Sequence, residues 1–482
     1  MKKRFPARLM AMICVMLALI WGMIACTNDP SDGGDTSAQE VTTEISTEAS
    51  IETSTEASTE MSTEASTEIS TDASTEEETV GETLPPTLKD ELGLDVKLSD
   101  LDPLMQPILL GNEVKNETVM FLDAGEEKNL LFPIETVISV TSYDGSKVYE
   151  EGKDYAIVNG KIKLLEGSSI PCITSANFYN IQDPNPRFYT YYKGEIVPTY
   201  SSSLMKWQVN VNYTHTAAWK GFLADSQLET YQDFVKKLIA GEDVTVFFYG
   251  DSITRGSDAS WLNGAAPYQY TYPILFTQAL ADLFDYTVHF VDADLNTSYV
   301  PTAPVPEEDY VAGTRGTITY INTAIGGWTS EDGLNNFNLY IRSKVEEVGC
   351  DLFILAYGMN DGQTSVTTIR GNIKKIADGM LELKPEAGVV LMSTMMPNPN
   401  TAGVLLGNQG SQEEQLEKQV EKYQKNGFAC AVCPMNSVSK AILRRKDFHD
   451  YASNNMNHPN DFFVRVYAQT LLQTVIGYEN MS

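Results

Sequence analysis

The pattern of apolar and polar positions predicts two folded regions with different periodicities. From Val244 onwards, apolar runs of strand length alternate with amphipathic stretches of helix length. The first run, Val244–Gly250, is rich in β-branched and aromatic residues and stops at Gly-Asp-Ser. Such alternation is typical of a parallel sheet with helices on both faces, in which the functional loops follow the carboxyl ends of the strands. We therefore predict an α/β domain over 225–482.

The same pattern gives the elements of this domain. Strands are predicted at 244–250, 287–291, 317–325, 352–357, 388–393 and 428–433. Helices are predicted at 225–241, 267–284, 331–348, 367–383, 412–425, 437–446 and 461–477. The stretch 293–316, rich in Pro, Thr and acidic residues, interrupts the alternation and is predicted to be a long surface loop that shapes the substrate entrance.

The preceding region, 89–224, shows the signals of antiparallel β structure. The dipeptides Asp144-Gly145 and Asn159-Gly160 each separate two runs of strand character, as in tight hairpins. Two hairpins in sequence predict an antiparallel β-sandwich or jelly-roll domain. Tyrosines are dense here, and sheet packing is a more ordinary role for them than carbohydrate stacking.

The amino terminus has the composition of a secretory signal. Basic residues at positions 2–4 precede an apolar run from Leu9 to Ile24 that is short for a membrane span. Met23-Ile24-Ala25-Cys26 resembles the bacterial lipobox, whose Cys is lipidated after cleavage. We expect a signal peptide at 1–26 and a lipid anchor on Cys26 at the outer face of a bacterial membrane. An uncleaved anchor is the alternative, and it predicts the same extracellular location.

Residues 27–88 are predicted to be a disordered stalk. They carry sixteen acidic residues and no Lys or Arg, with Ser-Thr-Glu units recurring about every four residues. Such a segment buries too little apolar surface to fold. Of the formal net charge of −31, about −19 therefore belongs to residues 89–482. A domain this acidic is a poor partner for nucleic acid or anionic headgroups, so the lipid would be its only membrane contact.

Four cysteines lie beyond Cys26. Cys430 and Cys433 belong to an apolar run, which favours buried free thiols over a redox pair. The chain has no second cluster of Cys or His with zinc spacing, so we expect neither a metal site nor a cofactor. The sequence gives no indication of an oligomeric state.

Chemically suggestive residues follow several predicted strands. These are Gly250-Asp251-Ser252-Ile253 with Gly256, Asn322 to Gly327, Gly358-Met359-Asn360-Asp361, and His458-Pro459-Asn460 before the last helix. Together they resemble the four blocks of the SGNH (GDSL) hydrolases over about 244–482. The resemblance implies a flavodoxin-like α/β/α fold and serine ester hydrolysis. A single block is weak evidence, because Gly-Asp-Ser is a common turn, but four blocks in order are specific.

The resemblance also implies a role for each residue. Ser252 would be the nucleophile and His458 the general base. The N–H groups of Ser252 and Gly327 and the side-chain amide of Asn360 would form the oxyanion hole. Gly-x-Ser-x-Gly is absent around Ser252, which argues against the α/β-hydrolase arrangement.

The group that orients His458 is the one departure from the family pattern. The family often has an Asp three residues before the His, and this chain has Asn455. Asn455 or a backbone carbonyl could hold the ring in a Ser-His dyad, which we favour, or Asp450 or Asp461 could supply the charge. The other histidines, His215, His289 and His449, are interpreted as structural.

The most economical hypothesis is a surface esterase that removes acetyl or similar short acyl groups from a carbohydrate, with an acylated small molecule or polysaccharide as its substrate. Two-domain carbohydrate esterases resemble this layout of a β domain before an SGNH domain. Trp328 and Trp261 are candidates for a substrate platform, although packing would explain them equally well. A lipase or lysophospholipase is a second enzyme hypothesis, and a glycan-binding module with a decayed site is the alternative outside catalysis.

Overall fold

The computed structural model describes residues 87–179, 188–192, 195–198, 204–293, 302–403 and 407–482, and antiparallel β structure dominates its first part. The strands of this part are β1 (Glu113–Met120), β2 (Glu127–Lys128), β3 (Thr136–Ser142), β4 (Val148–Tyr149), β5 (Tyr155–Val158), β6 (Lys161–Leu164), β7 (Phe188–Tyr192), β8 (Glu195–Pro198) and β9 (Gln208–Thr214). Two short helices accompany them, α1 (Leu88–Leu92) and α2 (Ser175–Phe178).

These strands form the β domain predicted from the hairpin signals. One sheet has the order β1-β9-β3-β4, and a second has the order β2-β6-β5. Both predicted hairpins are confirmed, because Thr141 pairs with Val148 across one turn and Val158 pairs with Lys161 across the other. Apolar side chains from both sheets, such as Val140 and Ile162, are fully buried in one core.

The second part of the chain is the α/β domain. Its strands are β10 (Val244–Gly250), β11 (Thr287–Val291), β12 (Tyr310–Val311), β13 (Thr317–Asn322), β14 (Leu352–Ala356), β15 (Gly388–Met392), β16 (Thr401–Gly403) and β17 (Cys430–Cys433). Its helices are α3 (Gln232–Ala240), α4 (Ser252–Arg255), α5 (Tyr272–Phe284), α6 (Ser330–Asn335), α7 (Ser343–Val348), α8 (Val366–Leu383), α9 (Gln409–Lys425), α10 (Met435–Leu443), α11 (Phe448–Tyr451) and α12 (Asp461–Val475).

Strand order places β10 at the centre of the main sheet. Within the described residues the order is β12-β11-β13-β10-β14-β15-β17, and all neighbours are parallel except the edge pair β11 and β12. The series β13-β10-β14-β15-β17 is the flavodoxin-like order 2-1-3-4-5. Because connections leave β10 in opposite directions on its two sides, a crevice opens at its carboxyl end. Ser252 follows that end directly.

Helices cover both faces of the sheet, which explains the continuously apolar strands. Every residue of β10 is buried. Phe248 points toward α5 and α12 on one face, whereas Phe247 and Tyr249 point toward α8 and α9 on the other. The predicted α/β/α architecture is confirmed.

The boundaries of some predicted elements were wrong. The helix predicted from residue 225 starts at Gln232, and the helix predicted over 331–348 is broken into α6, a π-helical turn over Asn338–Arg342, and α7. Within the loop predicted at 293–316, Tyr310–Val311 adds the antiparallel edge strand β12.

The four described cysteines are free thiols, and three of them are buried.

Residues Glu82–Ser482 form one compact unit. The two-domain division at 224/225 stays a prediction, because β16 from the α/β half pairs with β7 from the β half. The predicted signal peptide and nearly all of the predicted stalk lie outside the described residues, and Leu88, its last residue, already begins α1. Among the described helices, none is long and apolar enough to cross a membrane.

Candidate active site

Ser252 lies on a tight turn between β10 and α4. Asp251 is the N-cap of α4, and its carboxylate accepts a hydrogen bond from the N–H of Ile253 at 3.0 Å. Gly250 leaves no room for a side chain, because an added Cβ would lie 2.5 Å from the carbonyl oxygen of Ala356. The Ser252 N–H is at the first position of a helix, where it has no intrahelical acceptor. This turn therefore presents both a hydroxyl and a free N–H at the sheet edge.

His458 reaches Ser252 from the loop before α12. Its Nε2 lies 2.9 Å from Ser252 Oγ, which is hydrogen-bond distance. Its Nδ1 lies 2.6 Å from the Oδ2 atom of Asp258. With Nδ1–H donating to the carboxylate, Nε2 is left to accept the serine proton. The site therefore contains a hydrogen-bonded Ser252–His458–Asp258 triad.

Asp258 is held in place by its own neighbours. Its backbone has a φ of 69°, an unusual left-handed conformation that Asp tolerates better than most residues. Ser453 Oγ and Asn454 Nδ2 donate to the same Oδ2 atom, at 3.3 and 3.1 Å. Burial by itself raises the pKa of Asp258, but the hydrogen bond and charge of His458, with these two donors, lower it overall. The carboxylate thus stays ionised beside the imidazole.

The favoured dyad and all four candidates for orienting His458 were wrong, because its Nδ1 contacts Asp258. The side-chain oxygen of Asn455 accepts from Asn398 Nδ2 at 3.0 Å. Asp450 Oδ1 accepts from the N–H of Met120, and Asp461 Oδ1 accepts from the N–H of Ser260. The family spacing directed attention to acids near His458, whereas the acid that contacts its ring follows Ser252 by six residues. Its sequence signal was only an Asp in the loop of the first block.

The predicted oxyanion-hole residues lie on neighbouring strand ends. An added Cβ on Gly326 would be 3.8 Å from Ser252 Cβ, so the loop containing Gly327 borders Ser252. Gly327 has a φ of 81°, which turns the backbone in a way that favours glycine. Asn360 Nδ2 donates to the carbonyl oxygen of Trp328 at 2.9 Å, and its second N–H can donate to a substrate. Their joint role as oxyanion donors stays a prediction.

Buried carboxyl groups brace these turns. Burial raises the pKa of Asp251 to about 7, although its side chain accepts from the N–H groups of Ile253 and Met359. Asp361 accepts from both the N–H and the hydroxyl of Ser330, and burial raises its pKa as well. Through these bonds the nucleophile turn, the turn at Met359 and the start of α6 are tied together.

Both candidate tryptophans are half-buried and packed against other rings. Trp328 lies edge-on to Tyr340, with ring centroids 4.9 Å apart, and Trp261 lies edge-on to Tyr270 at 5.2 Å. These contacts account for the two residues as packing, and a role in substrate binding stays a prediction. In the described part of the chain, no three His, Cys, Asp or Glu side chains are grouped as metal ligands.

Strand residues of the β domain hold the loop that carries His458, which no sequence pattern had predicted. Gln208 Nε2 donates to the carbonyl oxygens of His449 and Ala452, at 2.8 and 2.7 Å. Asn460 Nδ2 donates to Thr118 Oγ1 and to Gln208 Oε1, at 2.9 and 3.1 Å. The imidazole is therefore positioned from both halves of the compact unit.

Ion pairs also connect the β domain to the segment that precedes the His458 loop. Lys446 Nζ lies 2.5 Å from Glu117 Oε1, and both side chains are completely buried. Lys128, also buried, contacts Asp447 at 2.5 Å and Asp450 at 3.4 Å. His449 packs beside this lysine, and burial, followed by the lysine charge, lowers its pKa to about 4. The interpretation of His449 as structural agrees with this position away from the triad.

Residues 246–462 match the family model described as GDSL-like lipase/acylhydrolase. A search of curated proteins gave no match. A solved two-domain esterase (CEX) active on acetylated mannans, co-crystallized with mannopentaose, is 17% identical with a TM-score of 0.35, over 52% of this chain and 53% of that chain. The chain thus spans about half the length of that esterase.

Two further solved structures match about half of this chain and nearly all of their own length. A Clostridium thermocellum family 3 carbohydrate esterase is 14% identical with a TM-score of 0.32, over 48% of this chain and 96% of that chain. A carbohydrate esterase family 3 from Talaromyces cellulolyticus is 16% identical with a TM-score of 0.32, over 48% and 97%. The family match and the motif blocks therefore identify residues 246–462 as a GDSL-like lipase/acylhydrolase domain of the SGNH type.

Proposed function

We propose that the protein removes short acyl groups, chiefly acetyl, from esterified carbohydrate. The observation that carries the hydrolytic part is the continuous hydrogen-bonded path from Ser252 Oγ through His458 to Asp258. A hydroxyl with a base at 2.9 Å and a carboxylate behind that base is the arrangement needed to activate a serine for attack on an ester.

The first half of the reaction forms an acyl-enzyme. Ser252 Oγ attacks the ester carbonyl carbon while His458 Nε2 takes the hydroxyl proton. The negative charge that develops on the carbonyl oxygen is stabilised by the N–H groups of Ser252 and Gly327 and the amide of Asn360. The bond to the sugar oxygen then breaks, and His458 returns the proton to the departing alcohol.

The second half releases the acid. Water gives a proton to His458 Nε2 and attacks the acyl carbon, and the bond from that carbon to Ser252 Oγ then breaks as His458 returns the proton to Oγ, which releases the free carboxylic acid and restores the serine hydroxyl. Throughout both halves Asp258 stabilises the imidazolium and keeps Nδ1 protonated. Its lowered pKa means that it performs this role across the neutral pH range.

A carbohydrate is favoured over a phospholipid by charge. The formal net charge is −31, and about −19 remains after the predicted stalk and signal are set aside, so anionic headgroups are repelled. The layout of a β domain before the catalytic domain and the predicted surface location support the sugar assignment. The assembled triad argues against the alternative of a decayed glycan-binding module.

We further propose that the enzyme works outside the cell, held by a lipid on Cys26. The support is the basic, apolar and lipobox-like succession over residues 1–26. In a bacterial host fed a radiolabelled fatty acid, the protein should carry the label, and Cys26→Ser should abolish it. Equal labelling of both proteins would contradict the anchor.

The catalytic proposal is tested by a substrate panel. The purified protein is assayed on p-nitrophenyl acetate, on longer p-nitrophenyl esters and on acetylated xylan and mannan. We expect release of acetate from the polysaccharides and faster turnover of acetyl than of longer acyl groups. A preference for long acyl chains would indicate a lipase instead.

The matched control is the nucleophile variant. Ser252→Ala should fold normally and lose turnover on the order of a millionfold, as when the nucleophile of such a unit is removed. If this variant retains most of the esterase activity at an unchanged melting temperature, Ser252 is not the nucleophile and the mechanism fails.

A further inference from the structure

A groove of about 770 Å³ lies between the β domain and the catalytic loop. One wall is the turn of the β3–β4 hairpin, with Asp144 and Lys147, joined by Lys206 before β9. The opposite wall is the loop after the nucleophile, with Asp258 and Asn263. The orienting acid of the triad thus forms part of the lining, and 34% of its side-chain surface is exposed.

The order of groups around Ser252 indicates which part of the substrate this groove would receive. During ester hydrolysis the carbonyl oxygen faces the oxyanion donors, on the side of Gly327 and Asn360. The leaving alcohol must instead lie at His458 Nε2, because that atom returns the proton to it. Asp258 is the next group beyond His458 in the same direction. Because Asp258 lines the groove, we take the groove to lie on the alcohol side of Ser252 rather than on the acyl side.

The lining suits a neutral, hydroxyl-rich ligand. It offers two ammonium donors, Lys147 and Lys206, two carboxylate acceptors, Asp144 and Asp258, and the amide of Asn263. The positive and negative charges balance, so neither an anion nor a cation is favoured overall. Hydrogen bonds from Ser142 and Ser146 lower the pKa of Asp144, which keeps it an acceptor. A saccharide can donate to the carboxylates and accept from the amines.

The hairpin wall is fixed relative to the triad. Tyr143, at the start of the turn, accepts a hydrogen bond from the N–H of Asp461 at 2.9 Å, three residues after the catalytic histidine. Asn210 Nδ2 donates to the carbonyl oxygens of Ser142 and Tyr143, at 3.3 and 2.9 Å. A wall anchored in this way does not need to be ordered when a ligand binds, which favours affinity.

From these observations we propose that the groove is a binding site for the sugar units that continue from the esterified sugar. The β domain then supplies part of the substrate site and makes the enzyme prefer oligosaccharides to single esterified sugars. This inference rests on the proposed carbohydrate deacetylation and specifies which surface binds the neighbouring sugar units.

The test compares two substrates in each protein. We use the full-length protein with acetylated xylotetraose or mannotetraose, which can fill the groove, and with p-nitrophenyl acetate, which cannot. The readout is the ratio of kcat/KM for the oligosaccharide to kcat/KM for the small ester. In the double variant Lys206→Ala/Asn263→Ala this ratio should fall about tenfold, mainly through KM, because two hydrogen bonds to the ligand are lost.

A matched control comes from the outer surface. Lys375 is exposed on α8 and does not line the groove, so Lys375→Ala removes the same charge as Lys206→Ala and should leave the ratio unchanged. Melting temperatures of all variants verify that they fold. The wild type should also show a KM that decreases with oligosaccharide length, and the double variant should lose this dependence.

The possible failures are distinguishable. If the wild type hydrolyses acetylated oligosaccharides but the double variant keeps the wild-type ratio and length dependence, the groove proposal is overturned and the proposed function stands. If both substrates lose activity equally, the groove residues act on folding or catalysis, and the proposal is again overturned. If the wild type hydrolyses p-nitrophenyl acetate but no acetylated saccharide, the proposed function fails, and the groove proposal fails with it.

Discussion

Replacing Asp258 by Asn is the sharpest test of the triad, because it removes one charge and keeps the shape of the side chain. The carboxylate oxygen lies 2.6 Å from His458 Nδ1 and also accepts from Ser453 and Asn454. In the variant an amide oxygen can still accept from Nδ1–H, but it no longer stabilises the imidazolium. If the amide turns its N–H₂ toward the ring, Nε2 carries the proton and cannot act as base.

The size of the effect follows from the geometry. With the charge centres of the carboxylate and imidazolium about 4 Å apart and an effective dielectric of about 20, their attraction is about 4 kcal/mol. A transition state that loses this stabilisation slows about a thousandfold. Solvent at the exposed part of Asp258 reduces the electrostatic loss, whereas the wrong tautomer of His458 slows turnover further. Together these two effects lower kcat by about ten-thousandfold when the Asp of a serine-protease triad is replaced by Asn. We expect kcat to fall about a thousandfold.

The assay is turnover of p-nitrophenyl acetate at neutral pH, with melting temperatures to verify folding. The chain offers a matched control in Asp309, whose carboxylate lies 3.1 Å from Nδ1 of His289 in an exposed pair away from the triad. Asp309→Asn should leave kcat unchanged, and Asn455→Ala should cost far less than Asp258→Asn. If Asp258→Asn keeps a tenth or more of wild-type kcat, the histidine works without the acid and the reasoning is refuted.

Three further substitutions address stability and positioning. Burial raises the pKa of Asp251 from 3.8 to about 7, so the folded state retains a proton that the unfolded state releases, and stability is lost as the pH rises from about 4 to 7. The melting temperature of Asp251→Asn should therefore decrease less than that of the wild type over this pH range. An equal decrease in both proteins would contradict the raised pKa. Lys446→Met leaves Glu117 buried without its partner and should lower the free energy of unfolding by about 3–5 kcal/mol in urea titrations, whereas a loss below about 1 kcal/mol would show that the pair is dispensable. Gln208→Ala removes the donors to His449 and Ala452, and we expect kcat to fall with little change in KM; a change in melting temperature alone would assign Gln208 a purely structural role.

Local patterns in the sequence predicted the parts of the fold that depend on local chemistry. The strand at 287–291 was placed correctly because β-branched and aromatic residues dominate it, with buried Val288 and Phe290 alternating with more exposed positions. The turns around Gly145 and Gly160 were placed from dipeptides that favour tight hairpins. The break within 330–348 was not predicted, because a π-helical turn differs from an α-helical turn by a single residue, a change too small to read from the apolar spacing of a short segment.

The candidate site was predictable where a residue touches its own strand end, and less so where two distant segments meet. Ser252, Gly327 and Asn360 each follow a strand, so topology alone brings them together. Asp258 and His458 are 200 positions apart, and their contact depends on a left-handed residue in an irregular loop. The hydrogen bonds that Gln208 donates and Thr118 accepts connect the β domain to the histidine loop, and no periodicity encodes which polar residue of a strand faces another domain.

The hydrogen bonds between β-domain strands and the loop that carries His458 have a consequence for the order in which the enzyme folds. During synthesis the β domain and the nucleophile leave the ribosome long before His458, and the contacts that place the imidazole join segments more than 200 positions apart. Contacts between such distant segments form late in folding, because closing long loops costs conformational entropy. Ester hydrolysis should therefore be the last property that the refolding chain acquires, after most of its secondary structure has formed, and a catalytic domain separated from its β domain should lack it.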